Sequence, residues 1–212
     1  EKQAASNDWP TFYGDVARSA ITKQNLSNVH TQAWEAKIPG NPTPCIAVGD
    51  LVFFGSTDEC VYALNANNGK VTWKFQTNGA IPSAPAYWNG RIYVGSDDGW
   101  LYALSATDGK LLWKFQGGPS NRKQMAFETM SSLWPIRQGI AIDQGKIYFT
   151  AGFIPSQGHQ AYSLDAITGA VIYRIPMPQT NLTPTSYIVL KPDTVVIPSR
   201  RTYNPCVLSR KD

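Results

Sequence analysis

The chain has 212 residues, a net charge of +4 and only 16% charged side chains, and it has no basic block of the kind that grips nucleic acid; Arg200-Arg201 and Arg210-Lys211 are too short. No apolar run reaches the roughly 20 residues needed to cross a membrane as a helix, so the chain is read as not membrane-spanning. Seventeen Gly, fifteen Pro and 12% aromatic residues point to short strands joined by many turns.

Residues 1–29 are read as an N-terminal extension, whose opening Glu1-Lys2-Gln3-Ala4-Ala5-Ser6 has no hydrophobic core and is not an intact signal peptide. Thr31 to Ile38 then reads as an outermost strand without its three partners. Beyond it a unit repeats. Val61 to Trp73, Leu101 to Trp113 and Ala161 to Tyr173 align directly. Each reads as a strand, a turn closed by Gly69, Gly109 or Gly169, and a second strand ending on a large aromatic. Tyr and Leu lie two apart on one strand face with Ala or Ser between them. Each turn Gly stands where positive φ is expected.

A second hairpin precedes each unit, turning at Gly49-Asp50, Asn89-Gly90 and Gln144-Gly145. Four strands per unit make an all-β chain, a β-propeller of four-stranded antiparallel blades. The predicted blades are 44–78, 85–117, 139–177, and 184–212 taken with 30–38. Two arrangements stay open: residues 30–38 close the fourth blade of a small ring, or the four blades are part of a larger propeller. Trp34 and Trp73 are 39 residues apart and Trp73 and Trp113 are 40 apart, whereas Trp113 and Tyr173 are 60 apart. The third unit therefore carries two insertions.

The pattern Tyr-Ala-Leu-(Asp/Asn)-Ala-x-(Thr/Asn/Asp)-Gly-Lys-x-x-Trp, at 62–73 and 102–113 and in weaker form at 162–173, resembles the quinoprotein-like (PQQ-type) propeller repeat. That repeat builds the propellers of quinoprotein dehydrogenases and of an outer-membrane assembly lipoprotein. The resemblance covers about residues 30–212. It implies that the aromatic packs against the Ala and Gly of a neighbouring blade's motif. Trp73, Trp113 and, as a weaker substitute, Tyr173 would lock blades together, with Gly69, Gly109 and Gly169 at the receiving turns. It also implies a periplasmic or secreted location in a bacterial cell envelope.

The catalytic signature of the dehydrogenases is not recognisable. Those enzymes hold a quinone beside a disulfide between adjacent cysteines and use a Ca²⁺ site of Glu, Asn and Asp. Here Cys45, Cys60 and Cys206 are far apart, and His30 and His159 form no cluster with metal-ligand spacing. Asp97-Asp98-Gly99 aligns with Thr57-Asp58-Glu59 and reads as a blade turn rather than a Ca²⁺ loop. No catalytic residue, metal ligand or cofactor is assigned. The expected function is a non-catalytic binding or scaffold module; the alternative, a quinoprotein oxidoreductase or its cofactor-bearing half, would need PQQ and Ca²⁺.

The insertions carry the functional expectation. Gly117–Arg137 joins one blade's outer strand to the next blade's inner strand, and Gly152–Gln160 joins a second to a third strand, so both should crown one propeller face. They carry Arg122, Lys123, Met125, Phe127, Met130, Trp134, Arg137, Phe153 and His159, and mixed Arg, Met and aromatic content suits protein recognition; Arg122, Phe127, Trp134, Arg137, Phe153 and His159 form the candidate recognition face. Trp134 and Phe127 also fit a second reading, packing of the insertion onto its blade. Met125 and Met130 fit gap fillers better than haem ligands. The expected partner is a protein, with a chain that completes the propeller as one form of it; nucleic acid is not expected.

Overall fold

The computed structural model describes residues 3–22, 25, 31–126, 129–177, 186–199 and 204–210. Among these, blade one comprises β1 (Ile46–Val48), β2 (Leu51–Gly55), β3 (Cys60–Asn65) and β4 (Val71–Gln76). Blade two comprises β5 (Ala86–Trp88), β6 (Arg91–Gly95), β7 (Trp100–Ser105) and β8 (Leu111–Gln116). A separate hairpin, β9 (Lys123–Ala126) and β10 (Thr129–Ser132), stands between blades two and three. Blade three comprises β11 (Ala141–Asp143), β12 (Lys146–Ala151), β13 (His159–Asp165) and β14 (Val171–Met177). The fourth sheet has β15 (Val189–Leu190), β16 (Thr194–Ile197) and β17 (Cys206–Ser209). Every sheet is an antiparallel meander in chain order, the arrangement of a propeller blade. No helix among the described residues is long and apolar enough to cross a membrane.

Strand alternation produces the core. Phe53, Val61 and Trp73 of blade one meet Ile92, Val94 and Tyr102 of blade two. Blade two meets blade three through Tyr93, Leu101, Phe149 and Tyr162, and blade three meets the fourth sheet through Tyr148, Ile188, Leu190 and Val195. The same β-bulge recurs after Ala63, Ala103 and Ser163, setting these small residues opposite Trp73, Trp113 and Tyr173.

The Trp of outer strands β4 and β8 reaches the next blade's turn. Trp73 donates its indole N–H to Ala106 O at 3.0 Å, and Trp113 donates to Ala166 O at 3.3 Å. At Gly109, with φ +71°, a Cβ would sit 2.6 Å from the Trp73 ring, so both the backbone conformation and the close approach require glycine there. Gly169 lies under Trp113 in the same way. Tyr173 is half-buried near Tyr148, with ring centroids 6.4 Å apart.

The outer strand expected over 31–38 does not form. Residues 31–38 belong to no strand and are not joined to β17, so among the described residues no ring is closed through them. They lie instead on blade one, where Trp34 donates to Ala66 O at 2.7 Å and covers Gly69. Trp34 thus stands against blade one as Trp73 stands against blade two. The indole, Ala36 and Ile38 cover Phe54, Tyr62 and Leu64, and this contact fixes the segment better than one open strand edge would.

The N-terminal extension is ordered over residues 8–18 by the inner strands. Trp9 and Ala47 exchange backbone hydrogen bonds at 2.7 and 3.0 Å, Pro10 O accepts from Tyr87 N at 2.8 Å, and Val16 O accepts from Leu190 N at 2.9 Å. The exposed edge of each inner strand is a row of unpaired backbone groups, and this segment caps part of that row.

Candidate functional site

The inserted residues of blade three form a hairpin rooted in a locked base. At the base, Ser132 N donates to Asp97 O at 2.7 Å, and the Ser131 hydroxyl donates to the same oxygen at 3.2 Å. Arg137 grips Asp97 with two bonds, Nε to Oδ1 at 2.7 Å and Nη2 to Oδ2 at 2.6 Å. Both side chains are largely buried. The Arg137 guanidinium also lies 5.3 Å above the Phe153 ring. Trp134 is 5% exposed, rests on Gly118, and donates its indole N–H to Gln157 O at 3.0 Å. Gly152 N donates to Pro135 O at 3.0 Å, so the two insertions meet on one face.

The hairpin that rises from this base is apolar and basic at its surface. Met125 and Met130 are direct cross-strand neighbours, 79% and 52% exposed. Arg122 and Lys123 are exposed beside them. A two-stranded hairpin has no second layer to bury its side chains against, which accounts for the solvent-exposed thioethers. They fill no gap in the core, in contrast to the packing role expected of them.

Four of the six residues expected on the recognition face have other places. Trp134 and Arg137 hold the insertion to blades two and three. His159 is fully buried at the start of β13, opposite Met177, and burial lowers its pKa from about 6.5. Phe153 is half-buried under Arg137. Arg122 is exposed, and Phe127 lies outside the described residues. Lys123, Met125 and Met130, expected on the same insertion, stand together on the hairpin, and the alternation Lys123-x-Met125 across from Met130 is the sequence signal for one shared face.

Electrostatics at the base come from burial. Desolvation raises the Asp97 pKa, and the Arg137 charge and hydrogen bonds oppose that rise. Asp98 accepts Tyr102 Oη at 2.5 Å, Asn78 N at 3.1 Å and Trp100 N at 3.0 Å, and burial beside this carboxylate pushes the Tyr102 phenol upward. Both carboxylates are therefore engaged in structure. Among the described residues no three His, Cys, Asp or Glu side chains converge as a metal site. Cys45, Cys60 and Cys206 are free thiols.

Comparison with known proteins now fixes the family. The family model described as outer membrane protein assembly factor BamB matches residues 20–133, more than half of the chain. The chain belongs to that family of PQQ-type propellers. The BamB-family fold is shared by solved structures of several kinds. BamB from Moraxella catarrhalis is similar at a TM-score of 0.66 and 18% identity, over 84% of this chain and 51% of that one. A quinohemoprotein alcohol dehydrogenase from Pseudomonas putida is similar at a TM-score of 0.72 and 17% identity, over 91% of this chain and 34% of that one. A 1-butanol dehydrogenase (quinone) from Thauera butanivorans is 35% identical over 54 residues, 26% of this chain and 9% of the dehydrogenase. The chain spans about half of the BamB structure and about a third of the alcohol dehydrogenase.

The three thiols are free, the paired Asp97 and Asp98 are committed to Arg137 and Tyr102, and residues 8–18 lie along the inner strands.

Proposed function

We propose that this BamB-family propeller is a non-catalytic scaffold of the bacterial cell envelope that docks a protein partner through the β9–β10 hairpin. The observation that carries this reading is the hairpin itself: Met125 and Met130 stand exposed side by side on a base held by Asp97, Arg137 and Trp134. Methionine offers an adaptable apolar contact. Arg122 and Lys123 add positive charge at its edge, so an acidic partner surface suits it. The rigid base lowers the entropy cost of binding by holding the arm in place. The envelope location is supported by the family's description as an outer membrane protein assembly factor.

The rival reading, a quinone-dependent oxidoreductase, draws support from the dehydrogenases that share the fold. It is separated by equilibrium dialysis of the purified chain against pyrroloquinoline quinone with Ca²⁺. The expected result is no retained quinone and no reduction of an artificial electron acceptor when a primary alcohol is added. Stoichiometric retention with acceptor reduction would replace the scaffold reading.

A further inference from the structure

We propose that the inner edge of the blade run is a binding groove for a short turn-forming peptide, and that residues 8–18 are its resident ligand, supplied in cis. One short segment meets every blade in turn. Asp8 Oδ1 accepts from Gly49 N at 2.8 Å, and Trp9 forms a two-way antiparallel bridge with Ala47 of β1. Pro10 O then accepts from Tyr87 N of β5. Arg18 donates from Nη2 to Ile140 O, just before β11, at 3.0 Å and from Nε to Ile188 O, just before β15, at 3.2 Å. Main-chain pairing to a strand edge is how a sheet takes up an extended peptide, with side-chain pockets supplying selectivity.

The side chains supply that selectivity. The Phe12 ring stacks on Tyr187 with centroids 3.9 Å apart, and the Arg18 guanidinium lies 5.5 Å from the same ring. Tyr187 is itself fixed, because its hydroxyl accepts from Ala84 N at 2.9 Å. Arg18 Nη1 reaches back to Thr11 Oγ1 at 2.6 Å and Phe12 O at 2.8 Å, which folds the segment over its own anchor. Burial lowers the Arg18 pKa to about 10, which leaves it cationic at neutral pH. The ligand chemistry is a short segment that pairs its main chain at a Trp-Pro pair and then turns, presenting a Phe and, farther along, an Arg.

The segment pairs with a strand edge at Trp9 and then turns, with Gly14 N donating to Thr11 O at 2.9 Å and Ala20 N to Tyr13 O at 3.0 Å. Tyr13, Arg18 and Ala20 have φ of 61°, 60° and 56°, the left-handed region that such turns use. Thr11 is buried and Val16 packs against the core between blade three and the fourth sheet, while Tyr13 and Ala17 are exposed. Clefts of about 670 and 760 Å³ flank it, one beside Cys45 and Ala47 and the other beside Tyr87 and Gln144. Thr22 and Asn25, which follow it, are exposed.

The test uses the full chain with a short protease site inserted after Thr22. After cleavage, the N-terminal fragment is expected to stay with the blades through gel filtration. It should exchange with a labelled synthetic peptide of residues 5–20. The Arg18→Ala and Phe12→Ala peptides should each bind about tenfold more weakly or worse, the loss that goes with one charged hydrogen-bond set or one ring stack. Departure of the fragment from blades that keep their circular dichroism would overturn the groove. Unfolding of the blades on cleavage would overturn it too, by making the segment part of the core. Equal binding of the wild-type and both variant peptides would overturn the assigned contacts.

Discussion

The contact between blades one and two and the inserted face between blades two and three use the same side chains to different ends. At the first, Trp73 lies over Gly109 and donates to Ala106 O, as Trp34 does at Gly69 and Trp113 at Gly169. At the second, Trp134 lies over Gly118 and donates to Gln157 O, a lock of the same form but without a repeat behind it. The difference teaches that tryptophan and arginine in an insertion are not by themselves a recognition surface. On the inserted face they hold the base, and the exposed residues include Met125, Met130, Arg122 and Lys123.

The largest expected effects come from breaking either lock. Trp73→Ala should destabilise by about 3–5 kcal/mol, the usual cost of emptying a buried aromatic site. Arg137→Ala should cost a similar amount, about 3–5 kcal/mol, because it leaves the Asp97 carboxylate buried and unpaired. Denaturant melts measure both, and adding Asp97→Asn to Arg137→Ala should recover part of the second loss. A melt unchanged by Arg137→Ala would mean that the insertion is not held by this pair.

Two glycines sharpen the comparison at the next level. Gly109 and Gly90 both have positive φ, +71° and +77°, but only Gly109 has a ring against it; nothing lies within 4 Å of a Cβ at Gly90. Alanine at either position should cost about 1–2 kcal/mol for the left-handed backbone. At Gly109 crowding against Trp73 should add about 1–3 kcal/mol. Equal losses at the two positions would remove the claim that Trp73 needs a glycine beneath it.

A smaller effect should appear with pH. Burial lowers the His159 pKa, so below about pH 6.5 the unfolded chain takes up a proton that the folded chain resists. Stability should therefore fall with falling pH through the window between the two pKa values, by at most about 1.4 kcal/mol per pH unit. His159→Gln should flatten that slope in melts taken across the window. A slope that survives the substitution would assign it to other groups.

The sequence made the blades legible because each position recurs at a fixed spacing and each recurrence is a separate test of the reading. The turn glycines and the aromatic that ends each unit came out of that repetition. Trp34 reads in the sequence as a spacing mark, 39 residues before Trp73, on an expected outer strand that does not form. The path of residues 8–18 had no signal of that kind, since its contacts are mostly backbone bonds to distant strands. The inserted face was legible as a place but not as a set of roles. Composition names Trp134, Arg137 and His159 as recognition residues, whereas burial, which has no period there, turns all three inward.

The smallest expected effect on stability is the one that bears most on function. Met125→Ser with Met130→Ser should change stability by less than about 0.5 kcal/mol, because both side chains face solvent. The most direct measurement is photo-cross-linking from position 125 in the cells that make the protein, with Leu112 on the exposed outer strand β8 as the reference site. One dominant protein adduct is expected from position 125, lost when Arg122 and Lys123 are both changed to Glu, and none from position 112. Adducts from position 112 alone, or a position-125 adduct indifferent to those charges, would contradict recognition through the hairpin.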